Sequence, residues 1–115
     1  MCYAAYSKGT TALLSAILAT AEWNEVRDEL YQQWDQDEDG FSEKTNQRTK
    51  RVTAKAWRFE GEMHEIASTF QEAGLPGGFH KSAAEIYRRM ATARGESDAL
   101  NLVEILDALQ DQNPA

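Results

Sequence analysis

The sequence has a single cysteine, Cys2, and two prolines in 115 residues. One thiol excludes an internal disulfide and a cysteine-rich zinc site, and it fits a reducing compartment. Two prolines and seven glycines are too few for collagen-like repeats, a low-complexity chain or a turn-rich all-β fold. Positive charge is also scarce, with 12 Lys and Arg against 19 Asp and Glu and a net charge of -7. A surface of that sign does not displace counterions from a phosphate backbone, which excludes bulk, sequence-independent nucleic-acid binding. Nor is there a run of about 20 apolar residues of the kind that spans a bilayer. A length of 115 residues supplies one hydrophobic core, not the two of a complete two-domain enzyme.

What the chain does contain is helical periodicity. The apolar run at 12–19, with Lys8 upstream and Ala19-Thr20-Ala21 after it, has the outline of a signal peptide. It is short, however, and Leu13, Leu14, Ile17, Leu18 and Ala21 fall on one helical face. A buried helix over 2–21 and a cytoplasmic protein are the expectation. Gly9 is a weak point in that helix, and its many small residues would let a neighbouring helix come close. Asn24 can cap a second helix over 24–35 that carries Trp23, Val26, Leu30 and Trp34 at helical spacing. From Ser42 onward, Val52, Ala56, Phe59, Met63, Ile66 and Phe70 recur in steps of three and four, predicting one long helix over 43–73. Gly74 suits the position after its end, and Pro76 stops continuation. Helices over 82–93, around Ile86, Tyr87 and Met90, and over 98–111 complete the pattern. Ser97 or Asp98 would cap the last, with Leu102, Ile105, Leu106 and Leu109 inward. No stretch alternates as a strand would. The fold class is all-α, one domain of five to six helices.

Three constellations have chemical potential. Asp35-x-Asp37-x-Asp39-Gly40 opens like an EF-hand loop, three carboxylates at alternate positions and a glycine for the turn. Calcium takes about six to eight oxygens and wants a bidentate Glu at the twelfth loop position, which here is Asn46. A solvated acidic turn is the simpler reading, with weak calcium binding as an alternative. Lys44, Arg48, Arg51, Lys55 and Arg58 form a basic stripe on one face if the helix is unbroken, fit for an anionic ligand. Arg58 stands out beside Trp57, Phe59 and Gly61. A glycine inside a helix costs about 1 kcal/mol, so Gly61 marks an expected close contact. His64 and His80 lack the spacing of a metal site. No glycine-rich phosphate loop, Walker sequence or nucleophile elbow is present.

The blocks MCYAAYSKG (1–9), KAWRFEGEMHEIASTF (55–70) and AGLPGGFH (73–80) resemble the helical C-terminal half of NAD(P)-dependent β-hydroxyacid and 6-phosphogluconate dehydrogenases. The subgroup resembled is that of the phosphogluconate dehydrogenase C-terminal domains. The resemblance covers roughly residues 1–90. It implies a two-domain oxidoreductase in which an N-terminal Rossmann domain binds NAD or NADP, while this helical half closes the substrate cleft and forms a homodimer. By the same resemblance, the superfamily's catalytic lysine falls just before Met1, and its following asparagine falls on Ala4. Lys8, two turns later, is a poor substitute. The substrate-cleft Lys-Asp-Leu falls on Gly61-Glu62-Met63, so the acid survives as Glu62 and Arg58, one turn earlier, can supply the lost cation.

These departures set the functional expectation. Hydride transfer needs a cofactor held against the substrate and a group to move the hydroxyl proton, and this chain supplies neither a G-x-G-x-x-G loop nor the expected lysine. The chain is expected to bind no cofactor alone and to be inactive without a Rossmann-domain partner. Arg58 and Glu62 are its expected substrate contacts, with no metal, nucleic acid or membrane partner. A free-standing helical binding or assembly module using the basic stripe is the alternative.

Overall fold

The computed structural model describes residues 1–93 and 101–110. Six helices account for the secondary structure of these residues: α1 (Cys2–Trp23), α2 (Arg27–Asp37), α3 (Phe41–Thr53), α4 (Ala56–Glu72), α5 (Gly78–Ala91) and α6 (Leu102–Leu109). The all-α expectation is met. α1 is the hub and packs against each of the other helices. Its inward face is built of small side chains (Thr11, Ala12, Ser15 and Ala19) around the fully buried Leu18. Small residues let neighbouring backbones approach closely, so a 22-residue helix can sit among several others. Leu13 does not share that face. It is 61% exposed, and Ile17 is only half-buried, because the packed stripe follows residues 11, 12, 15, 18 and 19.

α1 ends differently from the sequence expectation. Asn24 closes α1 and does not open α2, its amide Nδ2 donating to the Thr20 carbonyl at 2.9 Å. Glu25 then adopts φ 59, while Val26 N–H reaches the Ala21 carbonyl at 2.9 Å and Glu25 N–H the Glu22 carbonyl at 3.1 Å. That pair of bonds is a Schellman motif, with glutamate in the left-handed position usually given to glycine. α4 ends in the same motif with the expected residue. Gly74 has φ 85, and Leu75 N–H donates to the Phe70 carbonyl at 2.9 Å.

The predicted long helix over 43–73 is two helices. α3 stops at Thr53 and α4 begins at Ala56, with Lys55 at φ −117 between them. Tight turns replace the helical ladder there, from Lys55 N–H to the Val52 carbonyl and from Arg58 N–H to the Lys55 carbonyl, both 2.9 Å. The Thr53 hydroxyl donates back to the Thr49 carbonyl at 2.8 Å, a contact that bends helices. Thr49, Val52 and Thr53 are also β-branched and favour the helix weakly. Apolar periodicity runs straight through the bend, so it is invisible to spacing alone.

α3 presents hydroxyls to the core. Ser42, Thr45, Thr49 and Thr53 are its buried residues, and Thr49 shares a buried 2.9 Å hydrogen bond with Ser15 of α1. α4 and α5 form a helical hairpin across the tight turn at Gly74–Gly77. Met63, Ile66 and Ala67 of α4 are buried, as are Ala83, Ala84, Tyr87 and Met90 of α5. α5 begins at Gly78, four residues earlier than expected. α6 buries Leu102, Ile105, Leu106 and Leu109 as its spacing predicts. Its cap is Asn101, in a reciprocal capping box with Glu104 (Asn101 Oδ1 to Glu104 N–H at 2.9 Å). The expected caps Ser97 and Asp98 lie outside the described residues.

Candidate functional site

The acidic segment forms a helical corner. Asp35 and Asp37 still belong to α2, and the Asp35 carboxylate accepts the backbone N–H of Ser42 at 2.8 Å. It thereby caps α3, whose own N-cap is Gly40 in the left-handed conformation, φ 81. The corner is locked by the Ser42 hydroxyl donating to the Tyr31 carbonyl at 3.3 Å. Tyr31 Oη also donates to Asn46 Oδ1 at 3.0 Å, and the Trp34 and Phe41 rings meet edge to face at 5.1 Å. Asp35, Asp37 and Asp39 do not converge. Among the described residues no group of three His, Cys, Asp or Glu side chains is placed to hold a metal ion.

The basic stripe is also divided. Its condition was an unbroken helix, and the bend at 54–55 puts Lys44, Arg48 and Arg51 on α3 and Arg58 on α4. Lys44 pairs with Glu38 at 3.6 Å in solvent. Arg48 turns inward, its Nε donating to Thr11 Oγ1 at 2.6 Å and its Nη2 to the Ser7 carbonyl at 2.9 Å. Arg51, Lys55 and Arg58 stay exposed.

Of the two predicted substrate contacts, Glu62 enters a side-chain cluster and Arg58 does not. Arg58 is exposed, with its guanidinium 6.0 Å from the Trp57 ring centroid. Glu62 is half-buried, and its Oε1 lies 3.5 Å from Lys8 Nζ, with 31% and 35% of the Lys8 and Glu62 side chains exposed. The Lys8 ammonium also sits 4.9 Å from the centroid of the Phe59 ring, a cation–π distance. Below it, the fully buried Tyr87 donates its hydroxyl to the Lys8 carbonyl at 2.6 Å. Burial pushes the Tyr87 phenol far above its ordinary value, with the Arg48 and Glu62 charges acting in opposite directions on it. Lys8, Arg48, Glu62 and Tyr87 therefore meet where α1, α3, α4 and α5 converge. Sequence spacing places Lys8 two turns along α1 but cannot show that it faces Glu62, 54 positions on.

His80 holds a structural position. It is 6% exposed, its Nε2 lies 3.0 Å from the Ala5 carbonyl, and its ring meets Phe70 edge to face at 4.8 Å. A carbonyl only accepts, so Nε2 carries the proton, and buried Nδ1 meets no donor among the described residues. The ring fits because Gly9 lies beneath it. A Cβ there would stand 2.7 Å from Nε2. Gly9 is thus a point of close approach. Gly61 is the reverse of its expectation, with nothing within 4 Å of a Cβ added to it.

A groove of about 860 Å³ runs between α1 and α5, floored by Ala5, Gly9, Ala12 and Ala16 and walled by Leu13, Phe79 and Ile86. A second, of about 430 Å³, continues along α1 towards Val26 and Leu30 and shares Leu13 and Ala16 with the first. Neither has a lining residue in common with the Lys8–Glu62 cluster. The furrow is therefore separate from the charged cluster. A dinucleotide is held by a strand, a glycine-rich turn and a helix N-terminus in succession. The described residues form helices only, and that succession is not present among them. No helix among them is long and apolar enough to cross a membrane.

Residues 21–90 match the family described as Domain of unknown function (DUF1932), a helical domain found at the C-terminus of NAD(P)-dependent 3-hydroxyisobutyrate and 6-phosphogluconate dehydrogenase-like proteins. The match takes in α2 to α5 and more than half of the chain, and the chain belongs to this family. No curated protein and no solved structure matches it significantly.

Proposed function

We propose that this chain is the substrate-cleft and dimerisation domain of an NAD(P)-dependent hydroxyacid dehydrogenase-like oxidoreductase of the cytoplasm, and that it does not turn over substrate alone. The observation that carries the proposal is family membership across residues 21–90. Glu62, held by Lys8 at the junction of four helices, faces the substrate, and Arg58 reaches it from the exposed surface one turn earlier. The chain binds no cofactor by itself; NAD or NADP sits on a Rossmann-domain partner. The apolar furrow along α1 supports the assembly role. Leu13 and Phe79, which line it, are 61% and 75% exposed, and exposed apolar surface of this kind marks interaction sites. A second copy of the chain covers the furrow.

The test joins this chain to the nucleotide-binding half of a protein of the same family. Reduction of NAD⁺ or NADP⁺ by hydroxyacids is then followed by nicotinamide absorbance. Turnover by the joined protein, and none by the 115-residue chain, is the expected result. Turnover by the chain alone, or a joined protein that folds and binds nucleotide but never turns over, overturns the proposal.

A further inference from the structure

The bend between α3 and α4 gathers positive charge that no neighbouring acid neutralises. Half of the 12 Lys and Arg (Lys44, Arg48, Lys50, Arg51, Lys55 and Arg58) fall within residues 44–59, a stretch without Asp or Glu. The rest of the chain sets the other half against all 19 acids. Lys44 pairs with Glu38 and Arg48 turns inward. Lys50, Arg51, Lys55 and Arg58 are exposed, and none of them meets a carboxylate among the described residues. Trp57, 56% exposed, stands beside them, its ring centroid 6.0 Å from the Arg58 guanidinium. Lys50 and Arg51 occupy the last turn of α3, where a helix presents its negative end and favours cations. Lys55 and Arg58 are placed the other way. Lys55 is the N-cap of α4, Arg58 lies in its first turn, and that turn has neither an acidic residue nor a side-chain cap. Cations at the positive end of a helix are unfavourable, and breaches of a local rule of this kind are expected at functional sites.

We infer that Lys50, Arg51 and Lys55, with Trp57 beside them, form a docking surface for a short acidic segment of another protein, one that carries an apolar residue among its carboxylates. Charge complementarity selects the partner. The eight positions from Lys50 to Arg58 correspond to about 12 Å of helix rise, which four or five extended peptide residues span at about 3.3 Å each. A polyanion that runs on past the corner, such as a nucleic acid, meets the acidic remainder of the molecule. A short segment ends before reaching it. The exposed Trp57 ring offers an apolar side chain a surface next to the cations. Arg58 extends the patch, but the proposed function also sets it at the substrate, so the other three cations carry the site whatever the chain's catalytic role.

The test titrates the 115-residue chain with the blocked pentapeptide Asp-Glu-Leu-Asp-Glu, and the amides of Arg51, Lys55 and Trp57 are followed by ¹H–¹⁵N spectroscopy. Saturable shifts centred on the bend are expected, and they should fade as ionic strength rises. Replacing the three cations together (Lys50→Gln, Arg51→Gln and Lys55→Gln) should weaken the peptide about tenfold with helicity unchanged, while Lys50→Arg with Lys55→Arg should retain it. Lys55→Gln alone should melt no lower than the parent, because a cation at the start of α4 holds nothing in the free chain; a structural role would lower the melting temperature. No saturable response, or equal peptide binding by the triple variant, would overturn the inference. So would tighter binding of a uridine pentanucleotide of equal charge, which would make RNA the partner. A lower mass of the triple variant by light scattering would make a second copy the occupant and overturn it as well. Arg58 stays intact throughout, so an inactive joined protein with unaltered peptide binding sinks the dehydrogenase reading and leaves this site standing.

Discussion

Gly9→Ala and Gly61→Ala are the same chemical change inside two helices, and the structure gives them opposite signs. Replacing a helical glycine by alanine ordinarily stabilises by about 1 kcal/mol, because the unfolded chain loses freedom and the helix gains a better former. At Gly61 nothing lies within 4 Å of the new Cβ, so that gain should appear in full. At Gly9 the Cβ would stand 2.7 Å from His80 Nε2 and 3.4 Å from Cδ2. The ring has little room to yield. It is buried, bonded to the Ala5 carbonyl at 3.0 Å and held against Phe70 at 4.8 Å. Overpacking of this kind costs about 1–3 kcal/mol, and losing the hydrogen bond adds about 0.5–1.5 kcal/mol.

Against the helix gain, Gly9→Ala should therefore destabilise by about 1–3 kcal/mol, the α1–α5 contact loosening first. The two variants should differ by about 2–4 kcal/mol, or about 10 °C in melting temperature for a domain of this size. Urea unfolding followed by far-ultraviolet circular dichroism measures both. A third variant isolates the cause. In a His80→Ala background the obstruction is gone, and Gly9→Ala should become favourable by about 1 kcal/mol. A Gly9→Ala chain at least as stable as the parent, or one equally damaged with and without the His80 ring, would refute the close-approach account.

Further outcomes follow from single features. Glu25 occupies the left-handed region at φ 59, which costs a residue with a Cβ about 1–2 kcal/mol; Glu25→Gly should raise stability by about 1 kcal/mol in the same urea assay once the entropy of glycine is set against it. Glu85 is bonded by Arg88 and Arg89 at 2.6–2.9 Å, and hydrogen bonds from both hold its carboxyl down from 4.5 to about 2. A depressed acid contributes stability above its unfolded value and loses it as pH falls through the folded one. Glu85→Gln should thus flatten the acid limb of stability between about pH 4.5 and 2, by a small amount because the pair is solvent-exposed. Leu13→Asp, on the ridge shared by both grooves, should shift the chain towards monomer by light scattering while leaving its helicity unchanged; a folded variant with unaltered mass would exclude the furrow as the contact.

The parts of the fold legible in the sequence are those where apolar residues do the packing. The spacing of Leu102, Ile105, Leu106 and Leu109 gives the inward face of α6, and Ala56, Met63 and Ile66 give that of α4. α3 hides its core face because the buried residues are Ser42, Thr45, Thr49 and Thr53, hydroxyls that a polarity pattern assigns to solvent. The bend after Thr53 is hidden for a related reason. It arises from a side chain bonding back to its own helix, with no glycine or proline to announce it. Asn101-x-x-Glu104 is a readable capping box, whereas Glu25 at positive φ is not foreseeable from its residue type. In the candidate site, family resemblance finds Glu62 but not its partner. Lys8 is brought to it by the packing of α1 on α4 and α5, a contact between distant positions that leaves no local trace.

That dependence on α1 bears on what the physical unit is. The family match begins at residue 21, yet most of α1 precedes it, and α1 touches every other helix. Without residues 1–20, Thr49 would lose Ser15, His80 would lose the Ala5 carbonyl, Arg48 would lose Ser7 and Thr11, and Tyr87 would lose Lys8. Each of these is a polar group of α3 or α5, buried or half-buried, whose partner lies on α1, and an unpaired buried polar group costs about 1–3 kcal/mol. The same bonds that complete the core fix the backbone on either side of the Lys8 ammonium. Stability and site are therefore coupled through one helix: a substitution that loosens α1 from α5, as at Gly9, should also release Lys8 from Glu62, although neither residue is altered.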